Sequence, residues 1–316
     1  MKERGKISFG KRHTIYSIKD GQGCADHDRS HGETLGPEEY TLIKLRVLEL
    51  PEPLKEFEGR AVFLVAATLR PETMYGQTNC FVLPEGEYGL FEMKGDELFV
   101  CSERSAKNMA YQEMTPEFGK WTCLKKVKGA DLIGVPLKAP LTKYERVYTL
   151  PLITISMNKG TGVVTSVPSD APDDWAALRD FQTKQKWRDD YGVKEEWVKG
   201  FEPIPVLEIP GIGNLSAVTL VDELKIQSQK DKQKLTEAKE KVYKKGFFEG
   251  KMIIGQCEGQ PVKDAKPIVR ALMIDAGDAA AYFEPEGRVV SRSGDECIVA
   301  LCDQWFLNYG EPEWRA

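Results

Sequence analysis

The sequence predicts an α+β protein, in which a β-barrel or a highly curved sheet forms the core and helices lie at its periphery. Short β-rich runs recur with turn residues between about residues 40 and 167, a spacing typical of a barrel or curved sheet. A helix with an acidic first turn is expected to begin near Pro172. Two further helices are predicted at residues 228–245 and 262–276, and Gly277 is expected to end the second.

Six segments carry the strand pattern, being rich in β-branched and aliphatic side chains and bounded by turn residues. They are residues 40–49, 61–67, 79–83, 98–101, 146–150 and 162–167.

The helix after this region has a recognisable start. Proline at an early helical position costs little, and Asp170 is positioned to cap the helix. Its apolar face is predicted to be formed by Trp175, Leu178 and Phe181 or Gln182. Asp173 and Asp174 are thereby placed in the first turn.

The organisation along the chain predicts four segments. They are an N-terminal junction and arm (1–39), a core (40–190), a helical and extended insertion (191–290) and a return segment directed toward something absent from the chain (291–316). Residues 201–210 are proline-rich and extended, whereas residues 228–245 alternate in charge. We interpret the charged helix as a solvated face rather than as an RNA clamp.

Composition bounds the function. The 316 residues are 41% hydrophobic and 29% charged, the profile of a globular domain. No apolar run approaches the roughly 20 residues of a membrane span, and seven scattered cysteines favour a reducing cytosol. The formal charge of −5 argues against a surface wholly devoted to nucleic acid, although it allows one local basic patch.

The densest chemical signal is a threonine-rich loop at residues 67–79, directly after an apolar strand. Thr68, Arg70 and Thr73 supply hydroxyl and guanidinium donors beside a proline-constrained turn, and such donors can hold a polar ligand. The alternative is a loop whose threonines satisfy only their own backbone.

A second signal lies at residues 159–174, where a glycine turn, an apolar strand, a tight turn and an acidic helix start follow one another. A carboxylate placed there can bind a substrate ammonium group, and small side chains leave space for a ligand. Ordinary helix capping by acidic residues is the alternative, especially for Asp170.

Together the two motifs resemble the connective-peptide editing domain of the class I leucyl-, isoleucyl- and valyl-tRNA synthetases, and most closely its eukaryotic cytosolic leucyl type. The segments that carry this resemblance are residues 68–73, 77–79, 164–170, 222–229 and 302–305. The resemblance implies the class I synthetase editing-domain fold, a cytoplasmic location and hydrolysis of the ester in mis-charged tRNA(Leu). Norvaline, isoleucine and methionine would be removed, while leucyl-tRNA is spared.

The resemblance also implies catalytic roles for Thr68, Thr73 and Asp174. Asp174 would accept hydrogen bonds from the substrate α-ammonium group. Thr73 would narrow the side-chain pocket so that leucine is excluded, and Thr68 would help to hold the water or the ester.

Five further residues are expected to bind substrate: Leu69, Arg70, Thr165, Val167 and Asp173. Arg70 would contact the terminal adenosine or its phosphate, and Thr165 and Val167 would line the pocket wall. No covalent nucleophile is expected, because no Ser-His-Asp or Cys-His arrangement and no Gly-x-Ser-x-Gly elbow occurs.

The partners implied are the 3′ acceptor end of tRNA(Leu), the remainder of a synthetase, and a terminal adenosine or AMP held together with a benzoxaborole inhibitor. The sequence contains neither His-Ile-Gly-His nor Lys-Met-Ser-Lys-Ser, so amino acid activation and ATP binding are not expected, and no cofactor is implied. Two alternatives remain: a non-catalytic module that binds the acceptor end, and a protein-interaction fragment that uses the segment after residue 191.

A metal site near the N-terminus is a weaker hypothesis. Cys24, His27 and His31 lie close together, with His13 nearby. A structural zinc site takes four ligands, and no Cys-x-x-Cys pair occurs elsewhere. We therefore favour an ordinary polar loop and predict no metal.

Overall fold

The computed structural model describes residues 5–307 of the chain. Its strands are β1 (Ile7–Ser17), β2 (Gln22–Gly23), β3 (Arg29–His31), β4 (Pro37–Val47), β5 (Ala61–Thr68), β6 (Asn79–Val82), β7 (Glu87–Glu92), β8 (Glu97–Cys101), β9 (Cys123–Lys128), β10 (Pro136–Lys138), β11 (Val147–Pro151), β12 (Val163–Ser166), β13 (Leu207–Glu208), β14 (Lys251–Met252), β15 (Ala279–Pro285), β16 (Val290–Ser291) and β17 (Ile298–Leu307). All six predicted strands are present, as β4, β5, β6, β8, β11 and β12.

The α-helices are α1 (Glu103–Ala110), α2 (Pro172–Thr183), α3 (Gln185–Tyr191), α4 (Ser216–Glu223), α5 (Lys232–Glu249) and α6 (Val262–Asp275). The 3-10 turns are Asp26–Asp28, Glu52–Phe57, Pro71–Gly76, Lys94–Asp96, Gly129–Leu132 and Glu195–Trp197. The predicted helices at α2 and α6 are confirmed, and Gly277 follows α6 with a φ of 77°. Helix α5 begins later than expected because the Ser228 hydroxyl donates a hydrogen bond to Asp180, at 3.0 Å.

A ten-stranded mixed sheet forms the largest layer. Its strands run in the order β12-β6-β11-β10-β4-β5-β8-β7-β9, and β15 pairs with β4. The β11–β6 and β5–β8 pairs are parallel. The α+β class is confirmed, but the prediction of a closed barrel is wrong. Within the described residues the end strands β12 and β9 each hydrogen-bond to one neighbour only, so the sheet stays open.

Strand β5 shows why this sheet positions the candidate site. Its sequence AVFLVAAT is apolar along most of its length, and it pairs with β4 on one side and β8 on the other. A strand that has a neighbouring strand on each side needs apolar side chains on both of its faces when both faces of the sheet are covered. Val62, Leu64 and Val65 are accordingly buried, which fixes the point at which the polar residues after Thr68 emerge.

The core joins the sheet to the helices that follow it. Leu64 and Val82 of the sheet share one apolar cluster with Val221 of α4, Val242 of α5 and Met273 of α6. A second cluster packs α2 onto the sheet. It contains Phe81, Leu150, Leu178 and Phe181, and its two α2 members belong to the apolar face predicted for this helix.

The chain divides into two compact units. One comprises residues 41–103 and 122–281, and holds most of the ten-stranded sheet together with helices α2 to α6. The other comprises residues 1–40, 104–121 and 282–316. It contains an antiparallel ribbon of β1 and β17, whose register runs from Ile7 opposite Leu307 to Tyr16 opposite Ile298. The predicted arm and return segment extend into residues 1–4 and 308–316, which lie outside the described residues.

No helix in the described residues is long and apolar enough to cross a membrane. All seven cysteines lie in this part of the chain, and all are free thiols. Residues 5–307 also contain no group of three or more histidine, cysteine, aspartate or glutamate side chains arranged to hold a metal ion. At the weaker candidate metal site, the Cys24 thiol is buried and lies 3.7 Å from the Asp28 carbonyl.

Candidate active site

The threonine-rich loop is a buried 3-10 turn, Pro71–Gly76, that leaves the end of β5. The Arg70 backbone N–H donates to Thr68 Oγ1 at 3.0 Å. Thr73 Oγ1 donates to the Arg70 carbonyl at 2.9 Å. Both threonine hydroxyls therefore hold the loop itself, as the alternative interpretation expected. The two bonds nevertheless leave different groups available: Thr68 accepts and keeps its own hydrogen, whereas Thr73 has donated its hydrogen.

The second motif lies against this loop. The backbone N–H of Thr78 donates to the Ser166 carbonyl at the end of β12, at 3.1 Å. Gly76 shows how tight the contact is, because a Cβ atom added there would lie 2.9 Å from Val167 Cγ1 and 3.2 Å from Ser169 Oγ. The structure thus brings together the two motifs that the sequence singled out separately.

Asp174 links the turn after β12 to the start of α2. Its carboxylate Oδ2 accepts the Val167 backbone N–H at 2.7 Å, and the side chain is more than nine-tenths buried. Asp173 and Asp174 both lie in the first helical turn, as predicted.

The prediction that Asp170 caps this helix is wrong. Ala171 occupies the N-cap position, and no side chain caps the helix. Asp170 instead accepts the Ser169 hydroxyl at 2.6 Å, and its other oxygen is buried without a hydrogen-bond partner. The Asp170 carboxylate is engaged by the adjacent Ser169 hydroxyl, a bond that the sequence spacing alone does not reveal.

Arg70 is held from three sides. Its Nη1 donates to the Asp170 carbonyl at 3.4 Å, its Nε lies 3.4 Å from Glu72 Oε1, and its guanidinium carbon lies 4.7 Å from the Tyr243 ring centroid. The adjacent Leu69 is 38% exposed. The guanidinium is therefore a structural tie within the loop as well as a candidate ligand group.

The remaining predicted residues lie on β12, on the turn that follows it and in the first turn of α2. Thr165, in β12, and Val167, in the following turn, are both buried. Asp173 Oδ2 lies 2.7 Å from Lys239 Nζ, so this carboxylate is engaged by a cation from α5.

Lys239 and Tyr243 are contacts that sequence reasoning missed, because α5 was interpreted as a solvated helix. They lie four residues apart and therefore on one face. A signal was nonetheless present: Leu235, Ala238 and Val242 recur at spacings of three and four residues, and all three are buried. That periodicity indicates a packed face, which charge alternation alone does not exclude.

Burial dominates the electrostatics of the carboxylates. It raises the pKa of Asp174 to about 7, against the lowering effect of the Val167 N–H. Burial also raises the pKa of Asp170 to about 6 and raises the pKa of Glu72, with Arg70 opposing both increases. Asp174 thus exchanges its proton near neutral pH, and a ligand cation beside it would favour the ionised form.

No protein-family model matches the chain. The whole chain aligns with cytoplasmic leucine–tRNA ligases at 57% identity in Pongo abelii and 54% in Arabidopsis thaliana, and spans 27% and 29% of their lengths. Among solved structures, GlLeuRS-CP1 is 40% identical with a TM-score of 0.72; the match covers 78% of this chain and 99% of that structure.

The Plasmodium knowlesi cytosolic leucyl-tRNA synthetase editing domain is 29% identical, with a TM-score of 0.70, and covers 78% of this chain and 96% of that structure. These matches confirm the resemblance expected from the two motifs. The chain therefore belongs to the CP1 editing domains of leucyl-tRNA synthetases, of the eukaryotic cytoplasmic type.

Proposed function

We propose that this domain hydrolyses the ester bond of tRNA(Leu) charged with the wrong amino acid, and spares leucyl-tRNA. The observation that carries the proposal is the buried Asp174 carboxylate, held by the Val167 N–H beside the threonine loop. The need for such a second sieve is physical. A synthetic pocket for leucine rejects a side chain smaller by one methylene by only about 1–3 kcal/mol.

Asp174 binds the substrate α-ammonium group in this mechanism. The Val167 N–H fixes Oδ2 at 2.7 Å, which leaves Oδ1 to accept from the ammonium group. A charge-assisted hydrogen bond of this kind is about twice as strong as a neutral one. It also places the adjoining ester carbonyl at a fixed distance from the loop.

Thr68 and Thr73 have different roles in this mechanism. Thr68 Oγ1 accepts the Arg70 N–H, so its own hydrogen can be donated to the ester or to the attacking water. Thr73 donates to the Arg70 carbonyl, which orients its methyl group as a wall for the amino acid side chain. An aminoacyl ester is already activated, so positioning a water supplies much of the rate and no strong base is required.

The roles of the other substrate-binding residues follow from their positions around the loop. Thr165 and Val167 form the opposite wall, and the partly exposed Leu69 lies at the rim. Arg70 contacts the terminal adenosine or its phosphate at the 3′ acceptor end. Asp173 acts at the amino group through its neighbour Asp174. In a full-length synthetase, the acceptor end would be delivered from the synthetic body.

Deacylation by this chain tests the proposal directly. Norvalyl-, isoleucyl- and methionyl-tRNA(Leu) should be hydrolysed well above the rate in buffer, while leucyl-tRNA(Leu) should decay at the buffer rate. Acid-gel separation of charged and free tRNA follows the reaction. Hydrolysis of none of these substrates would contradict activity of this domain, and equal hydrolysis of all four would contradict the sieve.

We further expect a benzoxaborole to bind only together with a nucleotide that carries a ribose cis-diol, such as AMP. The tetrahedral boron bridged by the diol mimics the hydrolytic intermediate, and such ligands bind more tightly than substrates. Calorimetry should show heat with AMP present and none with 2′,3′-dideoxy-AMP, the matched control. Equal binding with both nucleotides would count against the prediction.

A further inference from the structure

We propose that Lys239 of α5 is a positioning residue of the hydrolytic centre, which acts through its ion pair with Asp173 to keep the neighbouring Asp174 carboxylate ionised and ready for the substrate ammonium group. This inference rests on the proposed function and adds a residue to it. Lys239 would touch neither the substrate nor the reacting atoms.

Two contacts bring α5 onto the site. Lys239 Nζ lies 2.7 Å from Asp173 Oδ2, and one turn later the Tyr243 ring lies 4.7 Å from the Arg70 guanidinium. The helix is anchored below by its buried apolar face. A Cβ atom added to Gly246 would lie only 3.2 Å from Ile209 Cδ1. Because packing fixes the helix axis, the lysine reaches the site in a defined geometry.

The need for a cation follows from the acidic helix start. Asp173 and Asp174 are consecutive, and two neighbouring carboxylates disfavour each other's ionised form. Asp174 is also faced by the Val167 N–H from the turn, by Arg70 from the loop, and by Lys239 and Tyr243 from α5. Lys239 is the group among these that neutralises Asp173 directly, with its own side chain 43% exposed.

The sign of the effect can be worked out for a rate that requires ionised Asp174. The pKa of this carboxyl is raised to about 7, chiefly by burial; Asp173 contributes to the increase, while the Val167 N–H, Lys239 and Arg70 oppose it. The value of kcat/KM, which reports on the free enzyme, should therefore rise with pH and level off above about 7. Removing Lys239 should shift this rise in kcat/KM to higher pH. Removing the charge of Asp173 should move it to lower pH.

The test compares norvalyl-tRNA deacylation against pH for Lys239→Gln and Asp173→Asn. We expect displacements of about half a pH unit in opposite directions, which corresponds to about a threefold loss and gain in kcat/KM at pH 6. Lys239→Arg should restore the parent profile. Lys241→Gln is the matched control, since Lys241 lies on the same helix and pairs only with Glu237 among the described contacts.

A structural role alone would lower the rate equally at every pH, and that result would overturn the inference. A second measurement keeps the inference separate from the proposed function: carboxyl NMR titration of Asp174, assigned by its absence in Asp174→Asn. Opposite displacements of its midpoint in the two variants support the inference even if no tRNA is hydrolysed. An unmoved midpoint overturns it even if hydrolysis is normal.

Discussion

Asp174→Asn should reduce the rate of norvalyl-tRNA hydrolysis by about 10- to 150-fold while leaving the fold intact. The estimate comes from the roughly 1.5–3 kcal/mol lost with a hydrogen bond to a charged group. Asparagine is the sharper test, because its amide oxygen can still accept the Val167 N–H that Asp174 accepts now. Single-turnover deacylation at pH 8 measures the effect.

Asp174→Ala should lose activity to at least the same extent and should also be less stable. It leaves the Val167 N–H unpaired next to a buried turn, at a cost of about 1–3 kcal/mol. Asp173→Ala is the matched control and should do less, since its partner Lys239 is partly exposed. Near-normal turnover by soluble, folded Asp174→Asn would show that the ammonium group is bound elsewhere.

Thr73→Ala should reverse the choice of substrate, because the domain should then hydrolyse correctly charged leucyl-tRNA. Threonine is stiff at χ1, and here its hydroxyl is tied to the Arg70 carbonyl at 2.9 Å. Its methyl group is consequently held in one position, where we propose that it limits the size of the side-chain pocket. Removing this methyl group should raise leucyl-tRNA hydrolysis above the buffer rate by roughly 10- to 200-fold, since one methylene discriminates by about 1–3 kcal/mol.

Substitutions of related size separate the wall from the hydrogen bond. Thr73→Val keeps the branched shape and should still spare leucyl-tRNA, whereas Thr73→Ser keeps the hydroxyl and should resemble Thr73→Ala. Thr73→Tyr should fill the pocket and block norvalyl-tRNA as well, because a close-packed site cannot absorb an added ring. If Thr73→Ala still spares leucyl-tRNA while clearing norvalyl-tRNA normally, the exclusion lies with Thr165 or Val167.

Local signals predicted much of the fold. The six β-rich runs became strands because alternating or continuous apolar side chains fit a covered sheet, and Pro172 placed Asp173 and Asp174 in one helical turn. Strand order was not accessible in the same way. Strand β6 pairs with β11 in parallel and with β12 in antiparallel orientation. Such pairings are decided by long-range packing, and so the open sheet was mistaken for a barrel.

The candidate site shows the same difference between local signals, which the sequence reveals, and long-range contacts, which it does not. Thr68, Thr73 and Asp174 could be singled out because each belongs to a contiguous motif. The engagement of Asp173 by Lys239 could not, because it joins two helices 66 positions apart in the chain. The prediction that Asp170 caps the helix was wrong for a local reason. Its carboxylate accepts a hydrogen bond from the adjacent Ser169 hydroxyl, and residue propensity does not distinguish that bond from a helix cap.

The ribbon of β1 and β17 has a mechanical consequence. Ile7 pairs with Leu307, and the register continues inward to Tyr16 and Ile298. A load that draws Ile7 and Leu307 apart therefore acts along the interstrand hydrogen bonds, which lie perpendicular to antiparallel strands. The pairs then rupture one after another, as in a zipper, instead of resisting together in shear. We therefore expect tension applied at these two points to separate the two strands one pair at a time.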